Sequence, residues 1–281
     1  MAKLRVRAIQ TGYWKPGENW LDRIIENIEG IVADGDFLIV SEKAISTALG
    51  NVVDESSMEA SASAEFIVKF WMRMIWGHIL GILCHFSTKF LQRLREYPVD
   101  SGSRHKQLAL ARAGLLQALM FGSEGGIDGS NLPYSYVCLP LRNPEAIARE
   151  IHDEIRSRLG VSICVIIADT DKTFSFLNFH FTARQNPLKG IYSFGGFAAY
   201  VFGRMLCLKR RATPLAVTGC RMSVEQALQM AEVVNKARGF GAGRNVWEMA
   251  ERFSVGLTSV TWEMLETVKH KPIVIARSKR G

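Results

Sequence analysis

Proline is scarce in this chain of 281 residues, with eight in all, and its five cysteines include no CxxC pair. So little proline, with 48% apolar residues, excludes a disordered or fibrous chain and fits a globular one with ample core. Cys84, Cys138, Cys164, Cys207 and Cys220 are scattered, odd in number and mostly set in apolar runs. They read as buried free thiols in a reducing compartment. No charged start followed by an apolar run and a small-residue cleavage site opens the chain, so cytoplasm is the expected location. Zinc-finger spacing, an aromatic RNA-binding motif and a basic zipper are all missing, which argues against nucleic acid. The histidines at 78, 85, 105, 152, 180 and 270 show no metal spacing. A membrane span needs about twenty apolar residues. The most apolar stretch, Phe70–Phe86, is flanked by Lys69 and Lys89 and carries Arg73, His78 and His85. It reads as a helix buried against the core or a dimer partner, with no membrane expected.

What the chain has in excess is positive charge, formally +8. That points to an anionic partner, or simply to a solvated basic surface. The basic residues cluster at Lys209–Arg211, Lys269–Lys271 and Arg277–Arg280. Strands are expected at "KLRVRAI", at Phe37–Val40, at "SYVCLPL", at "VSICVIIAD" and at "KPIVIAR". The stretch "NPEAIAREIHDEIRSRLG" carries an N-cap Asn143, Pro144 in the first turn, early acids and a closing Gly160, so it reads as a helix. "SVEQALQMAEVVNKARG" is another, with Ser223 and Gln226 placed as a capping box. A long helical region runs from about Ser56 to Tyr97, "PVDSGSRHK" reads as a loop, and "QLALARAGLLQALMFGS" is open between helix and paired strands. The irregular mixture of strands and helices predicts an α+β fold.

Two carboxylates follow apolar runs and enter loops: Asp128 in "GGIDGSNLP" and Asp169 in "CVIIADTDKTF". A pair of acids can share a divalent cation whose remaining ligands are phosphate oxygens and water. Glycines at 125, 126 and 129 would let backbone N–H groups approach a phosphate. Acids in glycine-rich turns also cap backbone N–H groups, and spacing alone does not separate the two. "GFGAGR", Gly239–Arg244, follows a helix rather than a strand, so it is not a dinucleotide-binding loop. It reads as a helix C-cap followed by a loop facing phosphate.

In order and spacing, "GDFLIVSEKAISTALGNVVD", "GGIDGSN" and "LGVSICVIIADT" resemble the coenzyme F420-0:L-glutamate (γ-glutamyl) ligase family. "KPGENWLDRI" and the helix after Asn143 fit the same pattern. The resemblance covers residues 1–55 and 122–171 of one domain spanning 1–281. Residues 56–121 look like a helical insertion, and 172–281 match loosely. It implies a two-part α+β fold, an intertwined homodimer, GTP as co-substrate, and Mn²⁺ or Mg²⁺. The implied reaction joins L-glutamate to an anionic, phosphorylated deazaflavin acceptor (coenzyme F420-0) through an acyl phosphate. On the matching positions, Asp128 and Asp169 would be metal ligands and Thr170 would lie at a second metal. Asn131 would touch the nucleotide, while Glu42 and Lys43 would line its pocket, though Lys43 read alone could equally be a surface lysine. No residue is assigned as the catalytic acid or base.

The chain also departs from the family pattern. Thr47 stands where the family has a phosphate-facing lysine, and Leu49 where it has an acid. Near "NKARGFGAG" the family supplies an acid to the second metal; here Ala237 and Arg238 stand in its place. Arg238 and Arg244 are therefore expected as substitute cations for the nucleotide. A non-catalytic or altered-substrate nucleotide-binding relative that has lost the second metal is the other expectation.

Overall fold

A computed structural model describes residues 4–278, so Lys3, Lys279 and Arg280 of the predicted first strand and last basic cluster lie outside the described residues. The strands are β1 (Leu4–Thr11), β2 (Phe37–Ser41), β3 (Val52–Asp54), β4 (Tyr136–Cys138), β5 (Cys164–Phe176), β6 (Phe179–Thr182), β7 (Tyr192–Ser193), β8 (Lys209–Thr218) and β9 (His270–Ser278). Seven of them form one mixed sheet in the order β1-β9-β2-β5-β6-β7, with β8 also paired to β5. The first half of β5 runs parallel to β2, Phe37 opposite Cys164 through Ser41 opposite Ala168. Its second half turns back on itself to pair with β6. Strands β3 and β4 form a separate antiparallel pair.

The central strands are apolar on both sides because helices cover both. On one side, Ile24, Ile25 and Ile28 of the helix Trp20–Ile28 pack with Ile151 and Ile155 of the helix Pro144–Leu159 against Leu38, Val40, Val165 and Ile167. Both helices start at an asparagine: Asn19 accepts from Leu21 N and Asp22 N, and Asn143 from Ala146 N. Gly160 ends the second in the left-handed region, as its sequence predicts. On the other side, Met230, Ala231 and Val234 of the helix Val224–Arg238 meet Ile39, Ile166 and Val274.

A second core belongs to the helical region. Ile67, Val68, Met72 and Trp76 pack with Leu94, Tyr97, Leu108 and Ala109. The fold is thus α+β and two-part, as expected. The stretch expected to be a loop after Tyr97 is instead the first half of a helix, Val99–Arg112. Packing overrides its Ser and Gly content. A Cβ on Gly102 would lie 2.6 Å from Tyr97 Cε1, so glycine lets the tyrosine seat against the helix. His105 and Lys106 then tie that helix to buried acids. His105 bridges Glu55 (2.6 Å) and Glu124 (2.9 Å), while Lys106 Nζ reaches Glu124 and the Met120 carbonyl.

The helical region expected from about Ser56 to Tyr97 is split, with Thr88–Arg95 a separate helix after the most apolar one. The latter runs unbroken over Ala62–Leu83, 22 residues, which meets the length and composition of a membrane span. Part of it, Ile67–Leu80, is wound wide, with Gly81 N donating to Trp76 O five residues back. One face is core, yet Phe66, Phe70 and Met74 on the other are 45–61% exposed.

The cysteines also depart from expectation. Cys84, Cys138 and Cys207 are free, but Cys164 and Cys220 are joined by a disulfide. The pairing was illegible because the two lie 56 residues apart and meet only through the β5–β8 ladder. It removes the ground for inferring a reducing compartment from the cysteines.

Candidate functional site

The carboxyl ends of the parallel strands β2 and β5 open together into a cavity of about 1010 Å³, the place where such strand pairs offer ligands a crevice. Glu42 and Lys43 begin the helix that follows β2, and Asp169 follows the last β2-paired residue of β5, within a strand that continues to Phe176 rather than in the loop expected. There the β5–β8 register slips between Asp169 and Lys172. A bulge of this kind re-aims side chains, and Asp169, Thr170 and Asp171 all line the cavity. Asp128 arrives from the glycine loop, which a bridge to Cys138 holds in place (Asp128 N to Cys138 O 3.1 Å, Cys138 N to Asp128 O 3.0 Å).

The structure brings Asp128 and Asp169 into one cavity and gives each a cation. Lys43 Nζ pairs with Asp128 Oδ2 and also donates to Ser130 Oγ (2.8 Å) and Ser130 O (3.0 Å). The Arg184 guanidinium donates to Asp169 Oδ2 (2.5 Å), Glu42 Oε1 (2.6 Å) and Asp171 Oδ2 (3.4 Å). The other oxygens of the pair are occupied too: Asp128 Oδ1 accepts from Ser130 N (2.7 Å) and Asp169 Oδ1 from Thr170 N (2.7 Å).

These contacts decide how well the expected ion fits. Mg²⁺ must approach a carboxylate oxygen to about 2.0–2.1 Å, yet every oxygen of this pair already has a protein donor. Among the described residues no group of three or more His, Cys, Asp or Glu is arranged to hold a metal. Lys43 is partly exposed, but the Arg184 side chain is 2% exposed and serves three acids. Removing one member of such a buried pair costs about 3–5 kcal/mol. As they stand, the residues do not make a metal site.

The charges follow from burial and from Arg184. Burial raises the pKa of Glu42 to about 7, with Arg184 opposing and Asp169 adding to the rise. Burial and then Asp169 push Asp171 well above the usual carboxylate range. Against the same burial, Arg184 and Lys43 hold Asp169 low and ionised. Glu42 itself does not line the cavity; it sits behind Arg184 and also accepts from Leu141 N (2.8 Å). Its expected place in the wall is thereby corrected to one beneath it.

The other predicted residues fall as follows. Asn131 lines the cavity and is also bonded within the protein: its Oδ1 accepts from Tyr13 Oη (3.1 Å) and Ala242 N (2.6 Å), and its Nδ2 donates to Gly243 O (2.9 Å). It clamps the two glycine loops together. Thr170 and Thr47 face the cavity. Arg244 lies at the rim, bonded to Glu248 (2.9–3.1 Å) and stacked on Phe240. Arg238 differs: it lines the cavity near Asp169, and its guanidinium has no hydrogen-bond or ion-pair partner among the described residues.

Asp171 and Arg184 were missed by sequence reasoning. Asp171 had a signal, standing two residues after Asp169 in a strand, where such residues share a face. A lone arginine fifteen residues on has none. It also accounts for one glycine of the loop: a Cβ on Gly126 would lie 2.8 Å from the Arg184 guanidinium carbon. The missing side chain at 126 makes room for an arginine rather than a phosphate. The wall also carries the aromatic side chains of Tyr97, Phe121, Tyr134, Tyr136 and Trp247, together with Glu55, Asp100, Arg104 and His105.

The family model described as F420-0:Gamma-glutamyl ligase matches residues 8–183, which hold the acids of the site and Lys43 but not Arg184, Arg238 or Arg244. An uncharacterized protein of Methanocaldococcus jannaschii is 34% identical over 98% of this chain and 97% of its own length. A protein of Methanopyrus kandleri described as coenzyme F420:L-glutamate ligase is 23% identical over 56% of this chain and 55% of its own. The matched span carries Asp128, Asp169 and their loops, and the chain belongs to the F420-0:gamma-glutamyl ligase family.

Proposed function

We propose that the protein is a nucleotide-dependent amide ligase that joins L-glutamate to an anionic, phosphorylated deazaflavin acceptor, with GTP as the phosphate donor. The observation that carries this reading is one cavity lined by the cations Lys43, Arg184 and Arg238 and also by the aromatic rings of Tyr97, Tyr134 and Trp247. The cations suit a triphosphate, and flat apolar rings suit a fused-ring acceptor.

A carboxylate resists attack by an amine because it has no adequate leaving group. In the proposed reaction an acceptor carboxylate oxygen attacks the γ-phosphorus, and the bond to the nucleoside diphosphate breaks. The glutamate ammonium loses one proton to solvent, its nitrogen attacks the acyl carbon, and phosphate departs as a second N–H proton is released to it or to solvent. The protein's part is to hold three anions together, which requires positive charge fixed in place before they arrive. Mn²⁺ or Mg²⁺, implied by the resemblance, enters this reading only as an ion that would have to displace Lys43 from Asp128. The enzyme is proposed to work as a homodimer joined through the exposed apolar face of the helix Ala62–Leu83.

The test is incubation with deazaflavin acceptor, glutamate and GTP, with and without Mn²⁺, and mass spectrometry of the products. A product heavier by one glutamyl residue, formed with GDP and phosphate, is expected. GTP binding without product would instead favour the non-catalytic or altered-substrate relative, a reading supported by the carboxylates that already hold cations.

A further inference from the structure

We infer that Lys43, Arg184 and Arg238 replace divalent metal at this site, so that the cavity binds a polyphosphate without an ion. The inference rests on the nucleotide-binding reading above and adds how the charge is met. A divalent ion held by two acids offers phosphate oxygens its open coordination positions. Here the same two acids are present, but each is neutralised by a side-chain cation, and a third cation stands beside them without a partner.

Three observations converge. All four oxygens of Asp128 and Asp169 accept hydrogen bonds from this chain's own donors. The Arg184 guanidinium is buried among three acids and packed against Gly126, so it cannot swing aside as a surface lysine can. Arg238 faces the cavity with five N–H donors unclaimed by protein, in the position where an acid for a second ion was expected. A guanidinium grips phosphate through two parallel hydrogen bonds and stays charged even when desolvated. Burial lowers its pKa from the usual arginine value and the Asp169 carboxylate opposes that. Arg238 would hold the phosphate directly and Lys43 would add a second contact, while Arg184 fixes the charge of Asp169 from behind.

Calorimetry of GTP and of inorganic tripolyphosphate, titrated into the full chain in EDTA and then in excess Mn²⁺, tests this. Binding in EDTA within about threefold of that in Mn²⁺ is expected. Binding that appears only with Mn²⁺ overturns the inference and leaves the nucleotide reading standing. No binding in either condition overturns both. Arg238→Gln, whose parent guanidinium has no hydrogen-bond or ion-pair partner among the described residues, is expected to weaken GTP in EDTA at least tenfold while leaving the circular dichroism unchanged. Lys43→Met frees Asp128 and is expected to weaken GTP in EDTA while making added Mn²⁺ restore it. If Arg238→Gln binds GTP as wild type does in EDTA, the replacement idea is wrong.

Discussion

Position 126 shows how one side chain's absence governs another's presence. Its φ of +101° is a conformation that L side chains rarely adopt, and the space above it is filled by Arg184. Gly126→Ala should therefore lower stability by about 2–4 kcal/mol, read from the urea midpoint, through backbone strain and a displaced buried ion pair. A second residue-scale expectation concerns His105. Burial opposes its charged form, but Glu124 and Glu55 outweigh burial and raise its pKa to about 10. A raised histidine adds stability that is complete below about pH 6.5 and lost as pH climbs through 10. Wild-type stability should fall by about 2–4 kcal/mol across that window, and His105→Gln should show a flatter profile in chemical denaturation. Asp128 and Asp169 could be picked from the sequence because each breaks an apolar run. Arg184 could not, since nothing local marks an arginine that folds back on three acids.

Elements with strong local signals were legible. The helix Pro144–Leu159 declares its cap, its first-turn proline and its closing glycine, and it forms as written. The helix Val99–Arg112 does not, because its first half spells a loop and is made helical only by Tyr97, Val68 and the buried acids around it. The helix Ala62–Leu83 raises the opposite issue, with Phe66, Phe70 and Met74 spaced four apart and in water. Large side chains left in a row like this mark a surface that another body covers. Light scattering at micromolar concentration should show a dimer, and the pair Phe66→Asp, Phe70→Asp should reduce it to a monomer with the ultraviolet circular dichroism unchanged. A wild-type monomer would remove this face from the account of assembly.

At the scale of the whole molecule, the disulfide between Cys164 and Cys220 ties the start of β5 to the segment after β8 and closes a loop of about 56 residues. Cross-links of that span stabilise by about 2–4 kcal/mol, so dithiothreitol should lower the unfolding midpoint accordingly, and Cys220→Ser should abolish the difference. The larger consequence comes from where the cavity lies. Tyr97 and Phe121 belong to the helical core, Asp169 to the sheet and Arg184 to the segment just past β6, and the cavity wall is made from both halves. Anything that fills it touches two bodies that could otherwise loosen separately, and a ligand that prefers the folded state raises the free energy of unfolding in proportion to the logarithm of its concentration. Hydrogen exchange should thus slow together in the buried amides of both halves when a true ligand enters, and in neither when a molecule merely adheres to the basic surface. The protein can in this way be asked for its own substrate, one compound at a time, before any product is known.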